Sequence, residues 1–387
     1  MRNGPKPFSL YVHIPYCVSK CPYCDFNSHV VARIPEREYT DALLQEMDSQ
    51  ARSGEWSGRG LKSVFFGGGT PSTFQPGSIG AILERAAALF SFSDDIEITL
   101  EAKPGAGDSS RFSGYRAAGV NRVSVGAQSF KPDLLKLLGR VHSAGETRQA
   151  LEMVRRAGFD NFNLDLIYAV PGQSLADVKA DLEEALSFRP PHLSAYNLTI
   201  EEGTPFHREY QQGRIRGLPE EDEIAMAELI EERLGRAGLE RYEISNYARR
   251  GCQSRHNVNY WQGGDYLGIG AGAHSYKRDD GASGCRWQNE KNPGGYMEKI
   301  RKEGNAVAGR ERSDLAKAAA EFMFLGLRMT RGVSAREFSR RFGKRPAEFY
   351  PQIRDWLDGG LMAEEDETLR LTRRGLLVAN SIFVNFV

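Results

Sequence analysis

Three of the five cysteines, Cys17, Cys21 and Cys24, stand in the short stretch "YVHIPYCVSKCPYCDFNSH" at residues 11–29. Spaced this closely on a loop, their thiolates can point into one small volume. Three thiolates are too few to close a tetrahedral zinc site, and no second cysteine pair follows at zinc-finger spacing. They suffice for a [4Fe–4S] cluster with one iron left without a protein ligand. An open position on a metal centre marks chemistry or ligand binding rather than a purely structural site. The bland alternative is three buried cysteines acting as small hydrophobes. Pro22 and Tyr23 between them, on a loop that follows a strand, favour the cluster.

Other residues of chemical interest close apolar runs. "FFGGGTPS" (65–72) ends one such run, and its glycines let backbone approach a ligand without interference from a Cβ, although an ordinary tight turn would use them too. Glu101, Gln128 and Asp165 end three further runs. Each alone reads as a structural hydrogen-bonder, but polar residues at equivalent strand ends on one rim of a barrel share a cavity. In "RHNVNYW" (255–261), His256 offers an imidazole to iron, and Tyr260 and Trp261 offer aromatic faces to a flat macrocycle. By composition alone His256 reads as a satisfied core or loop histidine. Cys252 and Cys285 read as ordinary thiols that could also serve as ligands.

The elements that must position these residues alternate. Strand-like runs at 8–14, 61–66, 96–102, 120–126, 162–168 and 192–200 are separated by helical patterns at 36–51, 77–90, 131–138, 143–157 and 174–188. Near-continuous apolar strands between helices imply a parallel sheet covered by helices, and six units fit an α/β barrel or partial barrel with function at the strand C-termini. Residues 220–238 read as a further helix and 245–295 as loops with short strands. From there the pattern changes: helices at 314–328, 334–342 and 346–358, a hairpin at 361–372 and a last helix from 375 suggest a winged-helix-like unit. The chain thus divides into residues 1–300 and 301–387.

Composition sets the bounds. The 387 residues carry 51 basic and 51 acidic side chains, and 40% are hydrophobic, as in a globular protein with a sizeable core. A neutral total disfavours a dedicated nucleic-acid binder. No stretch approaches the roughly 18 apolar residues of a membrane span, and no signal peptide is legible at the N-terminus. A reducing cytoplasm, where clustered cysteines bind metal, is the expected compartment.

C-x3-C-x2-C just after the first strand, with Tyr23 before the third cysteine, resembles the radical S-adenosylmethionine (SAM) superfamily. The resemblance implies a partial (β/α)6 TIM-type barrel that holds a [4Fe–4S] cluster through Cys17, Cys21 and Cys24. The open iron would bind SAM, and one-electron reduction would cleave it to methionine and a 5′-deoxyadenosyl radical. The resemblance further implies that SAM is contacted by Tyr11, Tyr23, Gly67, Gly68, Gly69, Thr70, Glu101, Gln128, Arg140 and Asp165. Lys103 stands where relatives commonly have Asn.

Over nearly the whole chain, "YVHIPYC", "SVGAQSF", "LGRVHSA", "NLDLIYAVPGQS", "HLSAYNLTIEEGTPF" and "YEISNYA" resemble the oxygen-independent coproporphyrinogen III oxidases and their relatives. True oxidases carry a fourth cysteine two positions past the third, where this chain has Phe26 after Asp25, and a longer segment before the first strand. "HNVNYW" matches the HNxxYW motif of the HemW heme chaperones, which implicates His256, Asn257, Tyr260 and Trp261 in heme binding. The expectation is a heme chaperone that binds a [4Fe–4S] cluster, SAM and heme, and delivers heme to hemoproteins such as respiratory enzymes, without coproporphyrinogen oxidase activity. The alternative is an oxidase that decarboxylates propionate side chains by radical chemistry. A third class, an RNA-modifying radical enzyme suggested by the arginines of 328–345, is outweighed by a solvated charged face, so no nucleic-acid partner is expected.

The expected partners are heme, recipient hemoproteins and an electron donor such as flavodoxin or ferredoxin. The apolar tail 375–387 reads most simply as a packed helix, with a homodimer contact or a peripheral contact at the cytoplasmic membrane face as the alternatives.

Overall fold

The apolar runs form strands whose order follows the chain. In a computed structural model, which describes residues 6–105, 109–279 and 281–386, six strands lie side by side and parallel: β1 (Phe8–Ile14), β2 (Gly60–Gly68), β3 (Ser91–Ala102), β4 (Arg122–Gln128), β5 (Phe162–Tyr168) and β6 (His192–Asn197). They are buried on both faces along most of their length, except the exposed first half of β3, which is why the strands read as continuous rather than alternating apolar runs. Helices α1 (Glu36–Arg52), α2 (Pro76–Leu89), α3 (Ser109–Ala117), α4 (Pro132–Leu137), α5 (Ala144–Arg156) and α6 (Leu175–Ser187) form the crossovers. Two of them begin at capping boxes, Ser143 with Glu146 and Ser174 with Asp177. A short helix, α7 (Pro205–Gln211), and the long α8 (Glu220–Arg236) follow.

Further strands widen the sheet on both sides. β7 (Asn246–Ala248) adds antiparallel to β6. On the other side β8 (Tyr266–Ile269) pairs parallel with β1, and β9 (His274–Arg278), β10 (Gly284–Asn289) and β11 (Val307–Arg312) continue antiparallel. With the two-residue strand Glu240–Arg241 pairing antiparallel outside β7, the described residues form a twelve-stranded sheet whose two end strands do not pair with each other, so the barrel is open, as expected of a partial barrel. One apolar core fills it, from Phe8, Leu10 and Val12 through Phe66 and Leu100 to Leu164 and Leu193.

Helix α9 (Arg255–Trp261) lies in the stretch 245–295 that the sequence suggests is loops with short strands, and α10 (Pro293–Glu303) begins at its end. Beyond β11, α11 (Leu315–Leu327), α12 (Ala335–Phe342) and a hairpin, β12 (Met362–Glu365) with β13 (Thr368–Leu371), enclose a second core around Met323, Phe338, Phe342, Ile353 and Leu369. The helix expected over 346–358 is two short ones, Pro346–Phe349 and Ile353–Asp358, because Tyr350 precedes Pro351 and takes an extended ψ. The tail helix is likewise broken, into Arg373–Leu377 and Ala379–Phe383. Ala379, Ile382, Phe383 and Phe386 of that tail are buried in the second core, and Val387 lies outside the described residues. Among the described residues no helix is long and apolar enough to cross a membrane.

Candidate functional site

The C-terminal ends of the parallel strands meet at one rim. The chain leaves β1 through Pro15 and enters the cysteine loop, where Cys21 is buried and Cys17 and Cys24 are half-buried. All three are free thiols. Among the described residues no group of three His, Cys, Asp or Glu side chains is placed to hold a single metal ion. A four-iron cluster, which takes one thiolate per iron, suits such a set.

Donors already face the sulfurs. The Thr70 hydroxyl donates to Cys17 Sγ at 3.4 Å, and Arg140 Nη1 donates to Cys21 Sγ at 3.4 Å while its Nη2 donates to Gly126 O at 2.8 Å. Lys103 Nζ donates to Ser19 Oγ at 3.2 Å, within the cysteine loop. Burial, followed by the nearby Arg140, holds the Lys103 ammonium below its ordinary value. Tyr23 packs beside Leu134, Leu138, Ile167 and Val170, and burial drives its phenol up. Burial also raises the Cys24 thiol.

The glycine run ending β2 is a cradle with no room for a Cβ. At Gly68, with φ +114°, one would lie 2.5 Å from the His13 ring, and at Gly69 one would lie 2.6 Å from Tyr16 O. The Gly68 amide donates to Glu101 Oε2 at 3.3 Å. Burial, with the Asp165 charge adding to it, pushes Glu101 up to about 8. Asp165 accepts from Ser124 Oγ at 2.9 Å and Asn163 Nδ2 at 2.8 Å, yet burial still raises it. Gln128 ends β4 in the left-handed region, with φ 68°, a conformation uncommon outside glycine that turns the chain at the rim. His13 donates from Nε2 to Asn27 O at 2.9 Å, so its Nδ1 accepts from the Tyr11 hydroxyl at 3.0 Å. The cysteine loop, Tyr11, the glycine run, Glu101, Gln128, Arg140 and Asp165 thus share one end of the sheet.

The HNxxYW segment is a helix, not a loop. Ser254 caps it, and Glu97 of β3 accepts from the amides of Arg255 at 3.1 Å and His256 at 3.0 Å, an anion at a helix N-terminus. That cap explains the difference, because the carboxylate comes from a residue far away in sequence. His256 is buried beneath Tyr11 and Phe65. Ser63 donates to Ser9 Oγ, so the His256 Nδ1–H donates to Ser63 Oγ at 3.0 Å, and Nε2 accepts from the Tyr260 hydroxyl at 2.9 Å. Both ring nitrogens are therefore engaged, and burial pushes the imidazole down to about 3. Trp261 packs with Met329 and Tyr242 and carries the Arg328 guanidinium 4.3 Å from its ring centre. Cys252 belongs to that same apolar cluster, and Cys285 packs against the main core.

One cavity of about 1330 Å³ opens from this rim. It runs from Tyr11, Gly68 and Glu101 past Tyr260 and Trp261 to Phe322 and Arg331 of the C-terminal unit. His256 does not line it; Tyr260 and Trp261 do. His274, at the start of β9, lines the same cavity, and no spacing or motif in the sequence singles it out.

Comparison with known proteins agrees with this arrangement. A model of the radical SAM superfamily matches residues 11–185, and one of the HemN C-terminal domain matches residues 314–378. The heme chaperone HemW of Haemophilus influenzae is 38% identical, with 98% of each chain covered, and that of Escherichia coli is 37% identical, again with 98% of each covered. Coproporphyrinogen III oxidase (HemN) of E. coli superimposes with a TM-score of 0.83 over 98% of this chain and 90% of that one, at 24% identity, which establishes the shared fold alone.

Proposed function

We propose, from the premise that this chain belongs to the radical SAM superfamily and within it to the HemW heme chaperone family, that it binds heme and passes it to recipient hemoproteins such as respiratory enzymes. The observation that carries this reading is the single cavity that joins the rim of the barrel to the HNxxYW helix and the C-terminal unit. Its volume exceeds the about 300–1,000 Å³ typical of small-molecule sites, which leaves room for a tetrapyrrole beside SAM.

Cys17, Cys21 and Cys24 would hold the [4Fe–4S] cluster, and the glycine cradle with Tyr11, Tyr23, Thr70, Glu101, Gln128, Arg140 and Asp165 would hold SAM. These residues fit the two groups: donors face two of the three sulfurs, the cradle excludes a Cβ, and buried carboxylates stand beside the loop for a cationic ligand. When bound, the cluster and SAM supply one-electron chemistry. The chain's own part is electrostatic. Arg140 and Thr70 direct N–H and O–H groups at two of the sulfurs, which stabilises thiolate over thiol. A flavodoxin- or ferredoxin-type protein would supply the electron.

The oxidase reading is not favoured: Asp25 and Phe26 stand where the fourth cysteine would be, and the near-full-length relatives are chaperones. The protein would act in the cytoplasm. Any contact with a membrane would come through its recipients, because Ala379, Ile382, Phe383 and Phe386 of the tail are spent on the C-terminal core and Val384 alone is a large exposed apolar residue among the described tail residues.

The test follows anaerobic reconstitution of the cluster. Hemin titrated into the protein gives saturable binding, and coproporphyrinogen assayed in parallel under reducing conditions with SAM is not decarboxylated. Sustained porphyrin production would overturn the chaperone reading.

A further inference from the structure

The cavity decides which imidazole can reach an iron porphyrin. His256 is behind its wall, and both nitrogens are occupied by Ser63 and Tyr260. Turning it outward would break both bonds and leave the Tyr260 hydroxyl without its acceptor. Of the imidazoles that do line the cavity, His13 is engaged at both nitrogens by Tyr11 and Asn27 O, and His29 is tied through Nε2 to Asn27 Oδ1 at 3.1 Å. His274 is different. Its side chain is exposed to the cavity, and its ring makes no hydrogen bond among the described residues.

Its setting is that of a ligand on a rigid support. The backbone of His274 is held by pairing with Gln288 of β10, and Gly268 of β8 lets the neighbouring strand pack closely against it, since a Cβ there would lie 2.0 Å from His274 O. Tyr266 and Tyr276, with rings 6.3 Å apart, line the cavity nearby. Lys291 and Arg331 also line it, and neither forms an ion pair or a side-chain hydrogen bond among the described residues. Arg286, by contrast, is held by Glu321 at 2.7 Å. A free imidazole, aromatic walls and two uncommitted cations match the chemistry of an iron tetrapyrrole that carries two carboxylates.

We infer that His274, rather than His256, is the protein ligand to heme iron, with Lys291 and Arg331 facing the propionates. This assignment rests on the chaperone reading above and names the ligand within it. His256 then acts as a positioning residue that anchors Tyr260 and the α9 helix beneath the site.

The experiment compares wild type, His274→Ala and His256→Gln, all full-length with the cluster reconstituted. Each is titrated with hemin and, separately, with iron-free protoporphyrin IX. His274→Ala loses the axial-ligand absorbance of the ferric complex and binds hemin at least tenfold more weakly, while its protoporphyrin affinity is unchanged. Free imidazole restores the spectrum. Lys291→Gln with Arg331→Gln weakens binding of hemin but not of its dimethyl ester. His274→Ala with the wild-type spectrum and affinity would overturn the assignment and leave the chaperone reading standing. Wild type that takes up neither hemin nor protoporphyrin would remove both.

Discussion

The most direct check on the proposed SAM site is its response to pH. Glu101 is buried, receives the Gly68 amide as its one donor among the described residues, and faces Asp165; burial, with the Asp165 charge adding to it, pushes its carboxyl up to about 8. SAM carries a sulfonium and an ammonium, and a site for these cations needs the carboxylate. Below pH 8 the free protein holds the proton, so binding must expel it. The sign follows from linkage: affinity rises with pH while the bound state carries fewer protons than the free state. One pKa unit is about 1.36 kcal/mol, so the dissociation constant should fall about tenfold from pH 6 to pH 7 and level off above pH 8. Equilibrium dialysis of SAM against the cluster-loaded protein, at constant ionic strength, reads this slope. Glu101→Gln removes it and leaves a flat, weaker affinity. Asp165→Asn reports the share of the neighbouring carboxylate, since Asp165 is itself raised by burial. A wild-type affinity that does not change between pH 6 and 8, or a slope that survives in Glu101→Gln, would refute the placement of Glu101 against the cation.

Other predictions follow from packing and burial. Gly69→Ala places a Cβ 2.6 Å from Tyr16 O and 2.9 Å from Ile14 O, both backbone atoms; it should cost about 1–3 kcal/mol in urea unfolding and abolish SAM binding in the same titration. Glu46 accepts from Tyr296, Asn289 and the Gly270 amide, yet burial pushes it up to about 7. A raised carboxyl binds its proton more tightly folded than unfolded, so stability falls as pH rises from about 4.5 to 7, by about 3 kcal/mol in all. Glu46→Gln should flatten that dependence, and parallel slopes in the two proteins would contradict it. Phe338→Ala empties the centre of the C-terminal core and should cost about 3–5 kcal/mol, measured by thermal unfolding, while iron and sulfide content stay at the wild-type level.

What could be read without coordinates is what is local. The six strands of the barrel are continuous apolar runs, and an element buried on both faces declares itself over five to seven consecutive residues. The cysteines, the glycine run and the polar residues at strand ends are equally legible, since a parallel sheet brings all strand C-termini to one rim regardless of loop length. Helix α3, "SSRFSGYRA", is not legible: its apolar residues are sparse, and three serines and a glycine dilute the period. The α9 helix was missed for another reason, since its N-terminal amides are satisfied by Glu97 across the sheet.

The parallel fold, the cysteine loop and the family to which both belong are written in the amino-acid order alone, because these depend on periodicity and short spacings. How His256 is turned depends on packing, since Ser63 of β2 claims its Nδ1 from far along the chain, while Tyr260 takes its Nε2 from the next turn of the same helix. The same holds for the donors that face the sulfurs: Arg140 reaches Cys21 from beyond β4, and Thr70 reaches Cys17 from the end of β2. His274, unmarked in the sequence, gains its meaning from the cavity it lines. A hydrogen bond is won by whichever partner the packed core brings within reach, and no spacing along the chain encodes that.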